Sequence, residues 1–147
     1  MKSPRPRNEA DLWKKRLGKF GEELVADGLR QKGWEIDASN WRNGKKGEID
    51  IIGRDPQGIY VFLEVKTRCH TGVQAGFQTA GFDAITWKKQ QKIVTSARCY
   101  LAQRNLLKTQ YRFDVVVVTF ICDPARIEPE ELPEPIIVHV EQAIGGF

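Results

Sequence analysis

Gly47-Glu48-Ile49-Asp50-Ile51-Ile52, followed by Tyr60-Val61-Phe62-Leu63-Glu64-Val65-Lys66-Thr67-Arg68, places charged side chains inside two otherwise apolar, strand-forming runs. Both runs alternate with a period of two. Gly53-Arg54-Asp55-Pro56-Gln57-Gly58 between them carries the Gly, Asp and Pro of a turn, so the pair reads as an antiparallel hairpin. In the first strand Glu48 and Asp50 point one way and Ile49 and Ile51 the other; in the second, Glu64 and Lys66 oppose Leu63 and Val65. Pairing these faces predicts a cluster of three carboxylates with one ammonium.

Desolvation and repulsion in such a cluster cost on the order of several kcal/mol unless something compensates them. A divalent cation does so naturally. Mg²⁺ prefers oxygen ligands, takes one or two carboxylates, and completes its octahedron with water and substrate phosphate. Asp50 and Glu64 are the expected ligands, for Mg²⁺ or Mn²⁺. Lys66, on the same face, is placed to stabilise developing charge or to orient and deprotonate an attacking water. This is the chemistry of phosphodiester hydrolysis.

Asp50 with Glu64-Val65-Lys66 fourteen residues later resembles the PD-(D/E)XK nuclease signature. The wider set, Gly18-x-x-Gly21-Glu22, Asn40-Trp41-Arg42, Gly47-Glu48-Ile49-Asp50, Glu64-Val65-Lys66-Thr67-Arg68, Lys89-Gln90 and Arg112-Phe113-Asp114, resembles the YraN-like family of predicted endonucleases from about Leu17 onward. No proline precedes Asp50, a departure common in that superfamily. The resemblance implies a restriction-endonuclease-like α-β-β-β-α-β core of the Holliday-junction-resolvase branch and a metal-dependent nuclease function. It adds Glu22 to the catalytic set of Asp50, Glu64 and Lys66, with Glu48, Lys89 and Gln90 as accessory candidates. On their own residues, Glu48 is either a site acid or the partner of a nearby cation, and Gln90 either a core amide or a holder of water or phosphate.

Outward from the hairpin, a helix is expected over about Glu9 to Gln31, with Trp13, Leu17, Phe20, Leu24 and Val25 as its apolar stripe, Glu22 on the flank, and Gly33 stopping it. A strand follows near Trp34 to Trp41. After the hairpin, Thr71 to Gly81 reads as a long loop. A second helix over about Ala84 to Asn105 should bury Trp87, Ile93, Val94, Ala97, Tyr100 and Leu101, with Gln90 amid that face and Lys89 at its edge. Arg112 to Ile121 is apolar on both faces, as a strand covered by helices must be, and Asp114 near its start should fix a neighbouring cation or backbone group. Asp123 to Pro135 reads as loop before a last strand, Ile136 to Val140. The expectation is a basic disordered start over 1–8 and a single α/β domain over 9–147, its mixed sheet flanked by helices.

Charge is distributed unevenly. Of the 147 residues, those up to Cys122 hold 22 basic and 13 acidic side chains, and those beyond it hold one and six. A basic body attracts nucleic acid, DNA favoured over RNA, with Arg42, Lys45, Lys46 and Arg68 as candidate phosphate contacts. Cleaving a symmetric junction would call for a homodimer. Cys69, Cys99 and Cys122 show neither disulfide nor zinc spacing, and no apolar run approaches membrane-spanning length, so the expected location is cytoplasmic. Two other readings explain parts of this pattern: a non-catalytic nucleic-acid-binding module, and a protein-interaction subunit docking through the acidic C-terminal segment.

Overall fold

The computed structural model describes residues 7–70, 85–121 and 128–144. In chain order these form α1 (Arg7–Gln31), β1 (Glu35–Arg42), β2 (Glu48–Arg54), β3 (Tyr60–His70), α2 (Trp87–Gln103), β4 (Tyr111–Ile121), a 3-10 turn (Pro129–Glu131) and β5 (Ile136–Val140). The expected succession of helices and strands is present. Its expected Thr71–Gly81 loop, the first six residues and residues 122–127 lie outside the described residues.

The stripe on α1 dictates its place: Trp13, Leu17, Val25, Ala26 and Leu29 recur at helical spacing and are all buried. The helix ends where Gly33 adopts φ 92°, so that Gly33 N–H donates to the Arg30 carbonyl and Trp34 N–H to that of Leu29. That pair of bonds satisfies the last-turn carbonyls and turns the chain into β1. On α2, the Thr86 hydroxyl oxygen caps the first turn by accepting from Lys89 N–H at 3.1 Å. Its buried residues are Ile93, Val94, Ser96, Ala97, Tyr100 and Leu101. Trp87, expected on that face, is instead 60% exposed at the first position of the helix.

The five strands lie in the order β1-β2-β3-β4-β5. All neighbours are antiparallel except β3 and β4, which run parallel from Tyr60 beside Tyr111 to His70 beside Ile121, with α2 in the connection. His70 therefore ends the strand. Helix α1 packs on one face with Val61, Leu63, Val65, Val116, Val118 and Phe120; α2 packs on the other with Phe62, Phe113, Val115 and Val117. Both faces of β3 and β4 are thus covered, giving a three-layer α/β domain.

One close approach sets the height of α1 over the sheet. A Cβ at Gly21 would lie 1.9 Å from the Thr67 hydroxyl oxygen, whereas one at Gly18 would meet nothing within 4 Å. Gly21→Ala should therefore cost about 2 kcal/mol in urea denaturation by forcing α1 off β3. Gly18→Ala should stabilise by about 0.5 kcal/mol through helix propensity. Equal responses at the two positions would contradict this packing.

Candidate active site

Backbone pairing between β2 and β3 runs from Arg54 beside Tyr60 to Ile51 beside Leu63 and then stops. At the next position the Asp50 carboxylate takes over, its Oδ2 accepting from Val65 N–H at 2.8 Å. A side chain thus replaces a ladder bond, which pulls Asp50 into the seam between the strands. The alternation expected of β2 breaks here: Ile49 and Ile52 pack in the α2 layer and Ile51 in the α1 layer, so Ile49 and Ile51 do not share a face. On β3 the alternation holds, with Leu63 and Val65 toward α1 and Glu64 reaching a lysine of α2.

Three carboxylates meet at this seam. Asp50 lies within interaction range of both Glu64 and Glu22, and Glu22 also lies near the Asn40 side chain. Gly21 makes the Glu22 contact feasible by letting α1 lie against β3 one residue away. Asp50 and Glu64 are buried, at 8% and 5% exposure. Burial, with Glu64 and Glu22 adding repulsion, pushes the Asp50 carboxyl up to about 8, against the opposing pull of the Val65 N–H. Burial also raises Glu22, more than its interactions with Asn40 and Asp50 lower it. At neutral pH Asp50 therefore holds a proton.

The cation present is Lys89, whose Nζ lies 2.5 Å from Glu64 Oε1. Burial works against its charge, but the bond to Glu64 prevails and the ammonium is held protonated beyond its usual range. Three carboxylates and one ammonium were expected, and two members differ. Glu22 stands in place of Glu48, which is half-exposed and 3.5 Å from Arg42 Nε. Lys89 stands in place of Lys66, which is half-buried on β3 and makes no ion pair with either carboxylate among the described residues.

Asn40 is a neighbour of this cluster that the sequence reading gave no role. It sits in the left-handed region at φ 52°, which Asn tolerates better than most residues, and that conformation brings its amide to Glu22. Its place in Asn40-Trp41-Arg42 was the available signal. Trp41 itself packs edge-on against Tyr100, ring centroids 5.3 Å apart, as a core residue.

The family model described as "Uncharacterised protein family UPF0102" matches residues 21–118. The chain belongs to the UPF0102 family. UPF0102 proteins of Syntrophotalea carbinolica and Nocardia farcinica are 38% identical over 112 residues and 47% over 105, covering 76% and 71% of this chain and 85% and 77% of theirs. That of Caldanaerobacter subterraneus subsp. tengcongensis is 38% identical over 130 residues, 88% of this chain and 95% of its own.

The UPF0102 span contains Glu22, Asn40, Asp50, Glu64, Lys66 and Lys89. It also contains Gln90, whose side-chain amide donates to the Ile85 carbonyl at 3.0 Å and so braces the entry to α2. Arg42, Lys45 and Lys46 are exposed at and after the end of β1, just before β2, which carries Asp50. Arg68 is half-buried farther along β3, with its Nη1 lacking a hydrogen-bond partner among the described residues. No described helix is long and apolar enough to cross a membrane.

Among the described residues, no three Asp, Glu, His or Cys side chains are gathered tightly enough to enclose a metal ion. The donor chemistry nevertheless fits a hard divalent cation, which needs only one or two carboxylates and keeps much of its water. Asp50 and Glu64 offer two adjoining buried carboxylates, Asp50 held by the Val65 N–H and Glu64 by Lys89.

Proposed function

We propose that this protein is a metal-dependent endonuclease of PD-(D/E)XK type that hydrolyses phosphodiester bonds, with DNA as the favoured substrate. The observation that carries this reading is the buried Asp50–Glu64 pair, with Asp50 raised to about 8, and exposed basic residues Arg42, Lys45 and Lys46 on the chain leading into β2 support it. A pure binding surface gains nothing from a buried carboxylate pair beside phosphate. Asp50 and Glu64 would hold Mg²⁺ or Mn²⁺, which when bound supplies charge neutralisation at the phosphoryl oxygens and lowers the pKa of water.

The protein's own groups do the rest. Val65 N–H fixes one oxygen of Asp50, and Glu22, braced by Asn40, borders the acid pair from the α1 side. Lys66, two residues beyond Glu64 and not engaged with it, is placed to meet the attacking water or the substrate phosphate. Arg42, Lys45 and Lys46 would contact the phosphate backbone and position the strand.

The test is cleavage of a panel of branched and linear DNAs in Mg²⁺ or Mn²⁺. Lys66→Met should lower the cleavage rate at least about a hundredfold while leaving DNA affinity within about twofold, because many cations attract DNA but few adjoin the ligands. Equal losses in rate and affinity would favour a non-catalytic binding module.

A further inference from the structure

Lys89 occupies a position that the proposed metal also needs. Its Nζ lies 2.5 Å from Glu64 Oε1, and that carboxylate is 6% exposed whereas Lys89 is 46% exposed. The buried partner is fixed and the exposed one has room to swing. An ammonium at this distance occupies the oxygen that a cation would ligate, and the two positive charges repel. Away from Glu64, Lys89 borders a cavity of about 420 Å³ that Glu48, Thr86, Lys88 and Lys92 also line. Lys92 stands four residues from Lys88 and three from Lys89, and all three line this cavity. No acid lies in the first turn of that helix to neutralise them.

We infer that Lys89 is a tethered cation that competes with the divalent ion for Glu64 and, once displaced, engages substrate phosphate in the cavity beside it. This rests on the metal-dependent reading above. Metal loading then does two things at one site: it fills the acid pair, and it turns Lys89 toward Lys88 and Lys92, where a phosphate of the nucleic-acid strand is held. The coupling is reciprocal, so bound nucleic acid should in turn strengthen metal binding.

The experiment uses the full chain and two variants, Lys89→Met and Lys89→Arg. Mn²⁺ affinity is measured by calorimetry, and affinity for a short DNA duplex is measured with and without Ca²⁺, a cation chosen to support binding without turnover. Lys89→Met should bind Mn²⁺ about tenfold more tightly than the wild type, and its gain in DNA affinity on adding Ca²⁺ should be about fivefold smaller. Lys89→Arg keeps the charge and should behave like the wild type. Equal or weaker Mn²⁺ binding in Lys89→Met, with normal binding in the wild type, overturns the role of Lys89 and leaves the metal site standing. Absence of Mn²⁺ binding in all three proteins overturns both.

Discussion

Replacing Asp50 by Asn should make the metal-free protein more stable at pH 8, by on the order of 5 °C in melting temperature. The direction follows from the environment of the carboxyl. Burial, then Glu64 and Glu22, raise Asp50 from its ordinary 3.8 to about 8. Between those values the folded chain holds a proton that the unfolded chain has released. Stability must therefore fall as pH rises from about 4 to about 8, since the folded state binds more protons across that window. Asn is neutral throughout and keeps an oxygen for Val65 N–H. Melting curves recorded in a chelator should coincide near pH 4 and diverge above it. A variant less stable than the wild type at every pH would mean that the Asp50 charge is already compensated.

Asp114→Ala should have the largest effect in the opposite direction. Asp114 is fully buried and accepts from Arg112 Nε at 3.1 Å, His139 Nε2 at 2.8 Å and Gln142 N–H at 3.0 Å. Arg112 also bonds Asp55 at 2.7 Å and lies over the Trp34 ring. This network ties the turn after β2, the start of β4 and the end of β5 into one end of the sheet. Removing its central acceptor leaves a nearly buried guanidinium short of charge, at a cost of about 3–5 kcal/mol. That is a large part of the stability of an ordinary domain.

Burial would raise the Asp114 carboxyl, but His139, the Gln142 N–H and Arg112 outweigh it and hold it below the usual range; Asp55 is held down similarly by Ile59 N–H and Arg112. For acids lowered in this way, stability is present above the ordinary carboxylate pKa and is lost as pH falls through the folded value. Urea denaturation below pH 4 should show a steep acid loss in the wild type and a shallower one in Asp114→Ala. Parallel acid limbs would place that loss elsewhere.

Local pattern revealed much of this molecule. The α1 stripe and its Gly33 stop, the doubly buried β4 and the short β5 followed from periodicity and turn chemistry, as did Asp114 as the anchor of a cation. Asp50 and Glu64 came together as expected, but through Asp50 entering the seam between β2 and β3 and not through strand alternation. The failures share one cause, which is contact between distant segments. Whether Ile49 faces α1 or α2 depends on Asp50 taking the N–H of Val65, fifteen residues away. Lys89 reaches Glu64 only because α2 crosses that face of β3, so a lysine two positions from Glu64 looked the better partner. Asn40 comes near Glu22 through a left-handed backbone that no spacing rule encodes. The acidic C-terminal segment appears only in part: a 3-10 turn occupies Pro129–Glu131 where loop was expected.

The most direct measurement of the central claim is a calorimetric titration of Mn²⁺ into the wild type and Asp50→Asn at neutral pH. The wild type should bind one ion per chain with release of a proton to solvent, because Asp50, protonated in the free protein, must ionise to ligate the metal. The variant should show no saturable heat while remaining folded. Matching isotherms for the two proteins would contradict the assignment of Asp50 and Glu64 as a metal site, and with it the nuclease reading.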